Sequence, residues 1–159
     1  MTSAADVVRL AAAGGRTIAT AESLTAGLVA ATLAEIPGCS AVLRGGVIAY
    51  ATEVKAEVLG IEPALLSHVV SEAVAARLAE RACAVLDADL GVGTTGVAGP
   101  DPLDGQSAGT VWIGVHDARH GRTLTRRLTL EGDRAAVRAG TVAASLALVG
   151  EVLEAEVGE

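Results

Sequence analysis

Lys55 is the only lysine in a chain that otherwise carries eleven arginines, and it follows the only tyrosine, Tyr50, by five residues. Where Arg has so thoroughly replaced Lys, the lysine that remains is a candidate for work a guanidinium cannot do, namely losing a proton near neutral pH. Burial or a cationic neighbour can bring an ammonium to that point, and the neutral amine is then a general base. For Lys55 to be mostly neutral near pH 7 its pKa must fall by roughly 3, at a cost of about 4 kcal/mol. Glu53 and Glu57 would oppose that shift, so this reading requires both to face solvent. The plain alternative is a surface lysine that survived by chance.

A base needs a partner, and Ser23 is the candidate nucleophile. It lies in Thr20-Ala-Glu-Ser-Leu-Thr-Ala-Gly27, where a strand hands over to a helix and free backbone N–H groups stand beside the side chain. The alternative is that Ser23 or Thr25 only caps the helix, since the GxSxG elbow pattern is absent. A second segment, Gly45-Gly46-Val-Ile-Ala-Tyr50-Ala-Thr-Glu-Val-Lys55, places Tyr50 and Lys55 within a turn of each other at a sheet edge. If that edge also carries Ser23, the chain holds a Ser–Lys pair with a nearby phenol.

A third segment, Gly91-Val-Gly-Thr-Thr-Gly-Val-Ala-Gly99-Pro-Asp-Pro102, contains GxGxxG, but Pro100-Asp101-Pro102 follows where a dinucleotide fingerprint needs a helix. Its glycines and the Thr94 and Thr95 hydroxyls could receive a phosphate, or the segment is a tight structural turn. Arg134 and Arg138, one turn apart at the start of a helix, are either anion ligands or a solvated face. His116 and His120 have HxxxH spacing without a third ligand nearby, so no metal is expected.

Short alternating elements must position these groups. The pattern predicts a helix over 3–13 ending at Gly14-Gly15, a strand over 16–20, and a helix from about Thr25 to Ile36 closed by Pro37-Gly38. A strand over 42–51 follows, then a short helix over 52–59 capped by Thr52, a helix over 71–86 and a buried strand over 89–95. Two alternating strands over 110–116 and 122–130 make a hairpin around Gly121, and a last helix runs from Gly132 to Leu153. The fold class expected is α/β: a single three-layer α/β/α domain over 1–159 with a mixed sheet and an antiparallel hairpin near the C-terminus.

Bulk properties narrow the partners. A formal charge of −7 and a pI near 4.9 argue against a general nucleic-acid binder. Cys39 and Cys83 lack CxxC spacing and read as buried hydrophobes in a reducing compartment. The N-terminus shows no signal pattern, and acidic, basic or glycine residues are expected to interrupt every apolar stretch before it could span a bilayer, so a cytoplasmic protein without membrane partners is expected.

Several motifs in order resemble one family. They are Ala-Glu-Ser-x-Thr-x-Gly at 21–27, Gly-Gly-Val-x-x-Tyr-x-x-x-x-Lys at 45–55, Val-Ser-Glu at 70–72, Thr-Gly-Val-Ala-Gly-Pro at 95–100, Gly-Thr-Val at 109–111 and Gly-Asp-Arg at 132–134. This pattern resembles the C-terminal domain of the competence/damage-inducible protein CinA, also found alone as nicotinamide mononucleotide (NMN) deamidase. The resemblance covers about Arg16 to Ser145. It implies hydrolysis of the NMN carboxamide to nicotinic acid mononucleotide and ammonia, without metal or cofactor. It also implies Ser23 as nucleophile, Lys55 as base and Tyr50 beside them, with oxyanion donors among Thr25, Ala26 and Gly27. Gly46, Thr95, Gly96, Gly99, Arg134 and Arg138 complete the implied substrate-binding set, with the last five near the phosphate. A homodimer or higher homo-oligomer is likewise implied. The chain departs from the family at Ala26, where a second glycine is usual, at Leu24, where cysteine is common, and at Thr52, where asparagine is frequent. A different carboxamide substrate, or a ligand-binding module without turnover, are the alternatives.

Overall fold

The computed structural model describes residues 2–157. In order these form α1 (Ala4–Ala13), β1 (Ile18–Glu22), α2 (Leu28–Ala34), β2 (Leu43–Ile48), α3 (Thr52–Glu57), α4 (Glu72–Leu86), β3 (Leu90–Gly96), β4 (Thr110–Asp117), β5 (Arg122–Thr129) and α5 (Arg134–Val157). Single 3-10 turns lie at Cys39–Ala41 and Leu65–Ser67. The sheet order is β2-β1-β3-β4-β5. β2 and β3 flank β1 in parallel, and β4 and β5 add as an antiparallel hairpin.

Strand alternation divides the core in two. Ile18, Leu90, Val92 and Ile113 face the layer of α1, α2 and α5, where Val7, Val29 and Leu148 are also buried. Ala19 and Ala21 face the other way, against Leu78 and Val74 of α4 and against Leu59 and Ile61. The domain is therefore a three-layer α/β/α unit with a mixed sheet. Gly91 and Gly93 of β3 lie directly under α4: a Cβ at Gly91 would collide with the Ala79 carbonyl oxygen, and one at Gly93 with that of Ala75. The first glycines of the GxGxxG segment thus bring helix and sheet together and do not belong to a ligand loop.

Several boundaries differ from the sequence reading. β1 is displaced toward Glu22, because Arg16 turns inward to a buried ion pair with Asp117 at 2.7 Å. α2 begins three residues late, because Ala26 (φ 47) and Gly27 (φ 92) adopt left-handed conformations that a helix cannot contain. Neither Ser23 nor Thr25 caps it; Gly27 occupies the N-cap position without a side-chain bond. The N-cap of α3 is Ala51 and not Thr52. α4 does carry its Ser71 cap, whose hydroxyl accepts from the Val74 N–H. The expectation that no apolar stretch reaches bilayer length is overturned by α5, which over Arg134–Ala155 is long and apolar enough by composition, with mean hydropathy 1.5. Its buried residues Val137, Leu146, Leu148 and Val149 belong to the core shared with α1 and the sheet.

The topology fixes where chemistry can sit. α2 leaves β1 on one face of the sheet, whereas α4 leads into β3 on the other, so the carboxyl ends of β1 and β3 border a crevice. Glu22 pairs in register with Ile48 and Thr94, so the residues following β1 and β2 emerge side by side, next to Thr95 and Gly96 at the end of β3.

Candidate active site

Ser23 follows the central strand of the parallel trio. Its N–H donates to the Thr94 carbonyl at 3.1 Å, with the Thr94 hydroxyl 3.3 Å away. The turn after it is held from several sides. Glu22, fully buried, accepts from the Val29 N–H at 2.8 Å, the Ala30 N–H at 3.1 Å and the Thr20 hydroxyl at 2.9 Å, so a carboxylate caps α2 from within the sheet. The Thr25 and Thr94 hydroxyls share a hydrogen bond of 2.9 Å. Arg138 donates from Nε to the Leu24 carbonyl at 2.9 Å and from Nη2 to the Thr25 carbonyl at 3.1 Å.

Lys55 reaches the same point from α3. Its Nζ lies 3.0 Å from Ser23 Oγ, 2.7 Å from the Ala49 carbonyl oxygen and 3.0 Å from that of Tyr50. The residue is only 1% exposed. Burial lowers its pKa from 10.5 to about 8, against a smaller opposing pull from Glu53. Glu53 and Glu57 both face solvent. A neutral amine has two hydrogens and one lone pair. If the carbonyls of Ala49 and Tyr50 take the two hydrogens, the lone pair is directed at the Ser23 hydroxyl. The ammonium satisfies all three acceptors equally, so the side chain gains a proton without leaving its seat.

Around this pair opens a cavity of about 540 Å3. Ser23, Leu24, Tyr50, Thr52 and Lys55 form its floor and one flank. Val69 and Val70, the segment from Thr95 to Asp104, and Arg134 form the rest. Tyr50 is 53% exposed, and its hydroxyl accepts from Arg134 Nη2 at 2.6 Å. It meets the Ser–Lys pair through its backbone carbonyl, not its phenol. Arg134 also donates from Nη1 to the Gly99 carbonyl at 2.7 Å, tying the rim of the cavity to the glycine segment. The Thr95 hydroxyl donates to the Val69 carbonyl at 2.8 Å, and Gln106 Nε2 donates to that of Val70 at 2.6 Å, which joins the two walls.

Of the residues singled out from sequence, Ser23, Tyr50, Lys55, Thr95, Gly96, Gly99 and Arg134 meet at this cavity. Thr25, Ala26, Gly27, Gly46 and Arg138 do not line it. The Ala26 N–H is committed to the Ser23 carbonyl at 3.0 Å, whereas the N–H groups of Leu24, Thr25 and Gly27 donate to no protein acceptor among the described residues. Gly46 lies in β2 against Thr20 Oγ1 and the Ala30 Cβ, where a side chain would not fit. Arg138 braces the serine turn. His116 and His120 bond separately to Thr123 and Asp117, at 2.8 and 2.6 Å. Thr94, read from sequence as a phosphate ligand, instead holds the Ser23 N–H and the Thr25 hydroxyl and does not line the cavity, and sequence reasoning missed Glu22, Asp101, Asp104 and the Val69-Val70 wall. An acidic residue at the end of an otherwise apolar strand was the available signal for Glu22; nothing in the sequence brings Val69 to Thr95.

Comparison with known proteins agrees with this architecture. The family model for the CinA C-terminal domain matches residues 1–153. A CinA-like protein of Frankia casuarinae is 45% identical over 139 residues, covering 86% of this chain and 32% of that protein. A relative from Geobacillus kaustophilus is 48% identical over 145 residues, covering 89% of this chain and 34% of its own length. The chain thus spans about a third of the curated relatives it matches. A crystal structure of a competence-damaged protein (CinA) superfamily protein from Klebsiella pneumoniae superposes with TM-score 0.90 at 33% identity, covering 95% of each chain. That of a competence or damage-inducible protein from Enterobacter asburiae gives 0.89 at 27% identity, covering 96% of this chain and 99% of that one. With the family model spanning nearly its whole length, the chain belongs to the CinA C-terminal domain family.

Proposed function

We propose that the cavity hydrolyses a carboxamide by a Ser–Lys pair, and that the substrate is NMN, giving nicotinic acid mononucleotide and ammonia. The observation that carries this reading is the buried Lys55 Nζ, 3.0 Å from Ser23 Oγ with its pKa lowered to about 8. Near pH 7 about one molecule in ten then holds the neutral amine, enough to serve as a base without prior activation.

In the first half-reaction the Ser23 proton passes to Lys55 as Oγ bonds to the amide carbon, and the carbonyl oxygen becomes an oxyanion. Unclaimed N–H groups of the serine turn receive that charge. When the tetrahedral species collapses, the C–N bond breaks and the Lys55 ammonium returns its proton to the departing amine, which leaves as ammonia. Neutral Lys55 next takes a proton from water, hydroxide adds to the ester carbon, and the C–Oγ bond breaks with the proton returned to Ser23. The sum is one carboxamide and one water converted to one acid and one ammonia.

The rest of the cavity suits a small anionic nucleotide. Its volume of about 540 Å3 falls within the range typical of small-molecule sites, ~300–1,000 Å3. Arg134 uses two of its five N–H donors on Tyr50 and Gly99, so donors remain for a phosphate, and the Ala98 and Gly99 N–H groups donate to no protein acceptor among the described residues. We further propose a homo-oligomer in solution, to be read by light scattering. The reaction is tested by incubating the protein with NMN and measuring ammonia together with the acid product, beside Ser23→Ala and Lys55→Arg. Both variants should be inactive and folded. Parent-rate turnover by Lys55→Arg refutes the mechanism, and ammonia release from another carboxamide but not from NMN refutes the substrate.

A further inference from the structure

Arg138 invites the role of a second phosphate ligand, one turn beyond Arg134 on α5, yet its guanidinium points at the back of the serine turn. It is half-buried, does not line the cavity, and donates to the Leu24 and Thr25 carbonyls at 2.9 and 3.1 Å. In a trans peptide the C=O and the next residue's N–H point in opposite directions. Holding the Leu24 carbonyl therefore aims the Thr25 N–H away from Arg138. The Ser23 carbonyl is held in the same manner by the Ala26 N–H at 3.0 Å, which orients the Leu24 N–H. Leu24 and Thr25 are 3% and 0% exposed, and their consecutive N–H groups have no protein acceptor among the described residues. Buried backbone donors are rarely left so, and two in succession directly after a nucleophile form a concavity for an anion.

We propose that Arg138 is a positioning residue that sets the oxyanion hole of Ser23. Its bond to the Leu24 carbonyl orients the Thr25 N–H, and its bond to the Thr25 carbonyl steadies the Ala26 N–H on the Ser23 carbonyl, which in turn orients the Leu24 N–H, so both donors stay available to the developing oxyanion. Its charge also draws electron density from the Leu24–Thr25 peptide, which makes the Thr25 N–H a stronger donor. Lysine cannot replace it fully, because a single ammonium does not reproduce the planar fork that spans two carbonyls. This role rests on the Ser–Lys reading of the site, and it separates Arg138 from Arg134 by function: one holds the hole from behind, the other faces the ligand.

The test compares wild type with Arg138→Met, Arg138→Lys and Arg138→Ala in two assays. The first is steady-state hydrolysis of NMN. The second needs no knowledge of the substrate: the rate at which a small fluorophosphonate labels Ser23, a step in which an Oγ–P bond forms, fluoride leaves and the serine proton passes to Lys55. The phosphoryl oxygen occupies the same hole. Arg138→Met should lower kcat and the labelling rate about 10- to 100-fold, somewhat less than outright deletion of an oxyanion donor, with KM within about twofold. Arg138→Lys should fall between, and guanidinium added to Arg138→Ala should restore part of both rates. A raised KM with unchanged kcat, or labelling at the wild-type rate, overturns the role. So does a loss that guanidinium fails to relieve in a variant that melts like wild type. Wild-type protein inert in both assays removes the Ser–Lys reading and this inference with it.

Discussion

Replacing Lys55 with methionine keeps the unbranched stem up to Cε and removes the titrating amine, and it makes the burial of that amine measurable without any substrate. The unfolded chain binds the proton with a pKa near 10.5 and the folded protein with one near 8. Between these values the unfolded state holds more protons, so wild-type stability rises with pH across that window. The penalty is fully present below about 8 and gone above about 10.5. Its full size is roughly 3 kcal/mol, and about 2.5 kcal/mol of that should disappear between pH 7 and pH 10. Lys55→Met also leaves the Ala49 and Tyr50 carbonyls without their donor, a loss that does not depend on pH and so shifts its curve by a constant. The assay is urea unfolding of both proteins at the two pH values. Subtracting one protein from the other cancels groups that titrate in both. A wild-type gain of about 2.5 kcal/mol relative to Lys55→Met is expected at the higher pH. Curves that stay parallel within about 0.5 kcal/mol would mean that Lys55 is not desolvated, and the base would be lost with it.

Other outcomes follow from the same contacts. If the neutral amine is the active form, kcat/KM for NMN should climb with pH and level off above about 8, and Glu53→Gln should move that midpoint lower, because Glu53 favours the ammonium; a flat profile from pH 6 to 9 refutes the assignment. Ala26→Gly relieves a left-handed alanine (φ 47) and should be neutral or stabilising by up to about 1 kcal/mol in thermal melts, where an ordinary loop Ala→Gly change destabilises. Glu22→Ala leaves the Val29 and Ala30 N–H groups and the Thr20 hydroxyl without their acceptor, so denaturant titration should find it destabilised by about 2–4 kcal/mol. Asp117→Ala removes the 2.7 Å carboxylate partner of the Arg16 guanidinium, whose side chain is 1% exposed, and should destabilise the protein by the same measurement while leaving the Ser23 labelling rate of the folded fraction intact.

Much of this was legible in the sequence where the signal is local. Ser71 followed by an uninterrupted apolar period marks α4, and the hairpin around Gly121 is visible from alternation alone. Lys55 and Ser23 could be paired because parallel strands align their carboxyl ends, so two strand-end residues far apart in sequence become neighbours. What was not legible depends on which way a group points. Arg134 and Arg138 look interchangeable one turn apart, yet one turns to the cavity and the other to the back of the serine turn. Glu22 reads as a motif letter because its partners are backbone donors seven and eight residues away. Gly91 and Gly93 suggest a ligand loop, whereas their real neighbour is a helix that only the folded chain brings near. The late start of α2 has a related cause, since Ala26 carries no sequence mark of a left-handed residue.

The cavity wall from Val97 to Asp104 comes from a single excursion between β3 and β4, joined to the remainder by the Arg134–Gly99 and Gln106–Val70 bonds. Ser23 and Lys55, by contrast, are held against the sheet and its helices. The Ser23–Lys55 pair and this stretch of the cavity wall are thus written in separate parts of the chain. Under the Ser–Lys reading proposed above, an exchange of the 97–106 segment between relatives would reshape that part of the cavity lining while leaving Ser23, Lys55 and Arg134 in place, so the acyl group accepted could change by altering one loop.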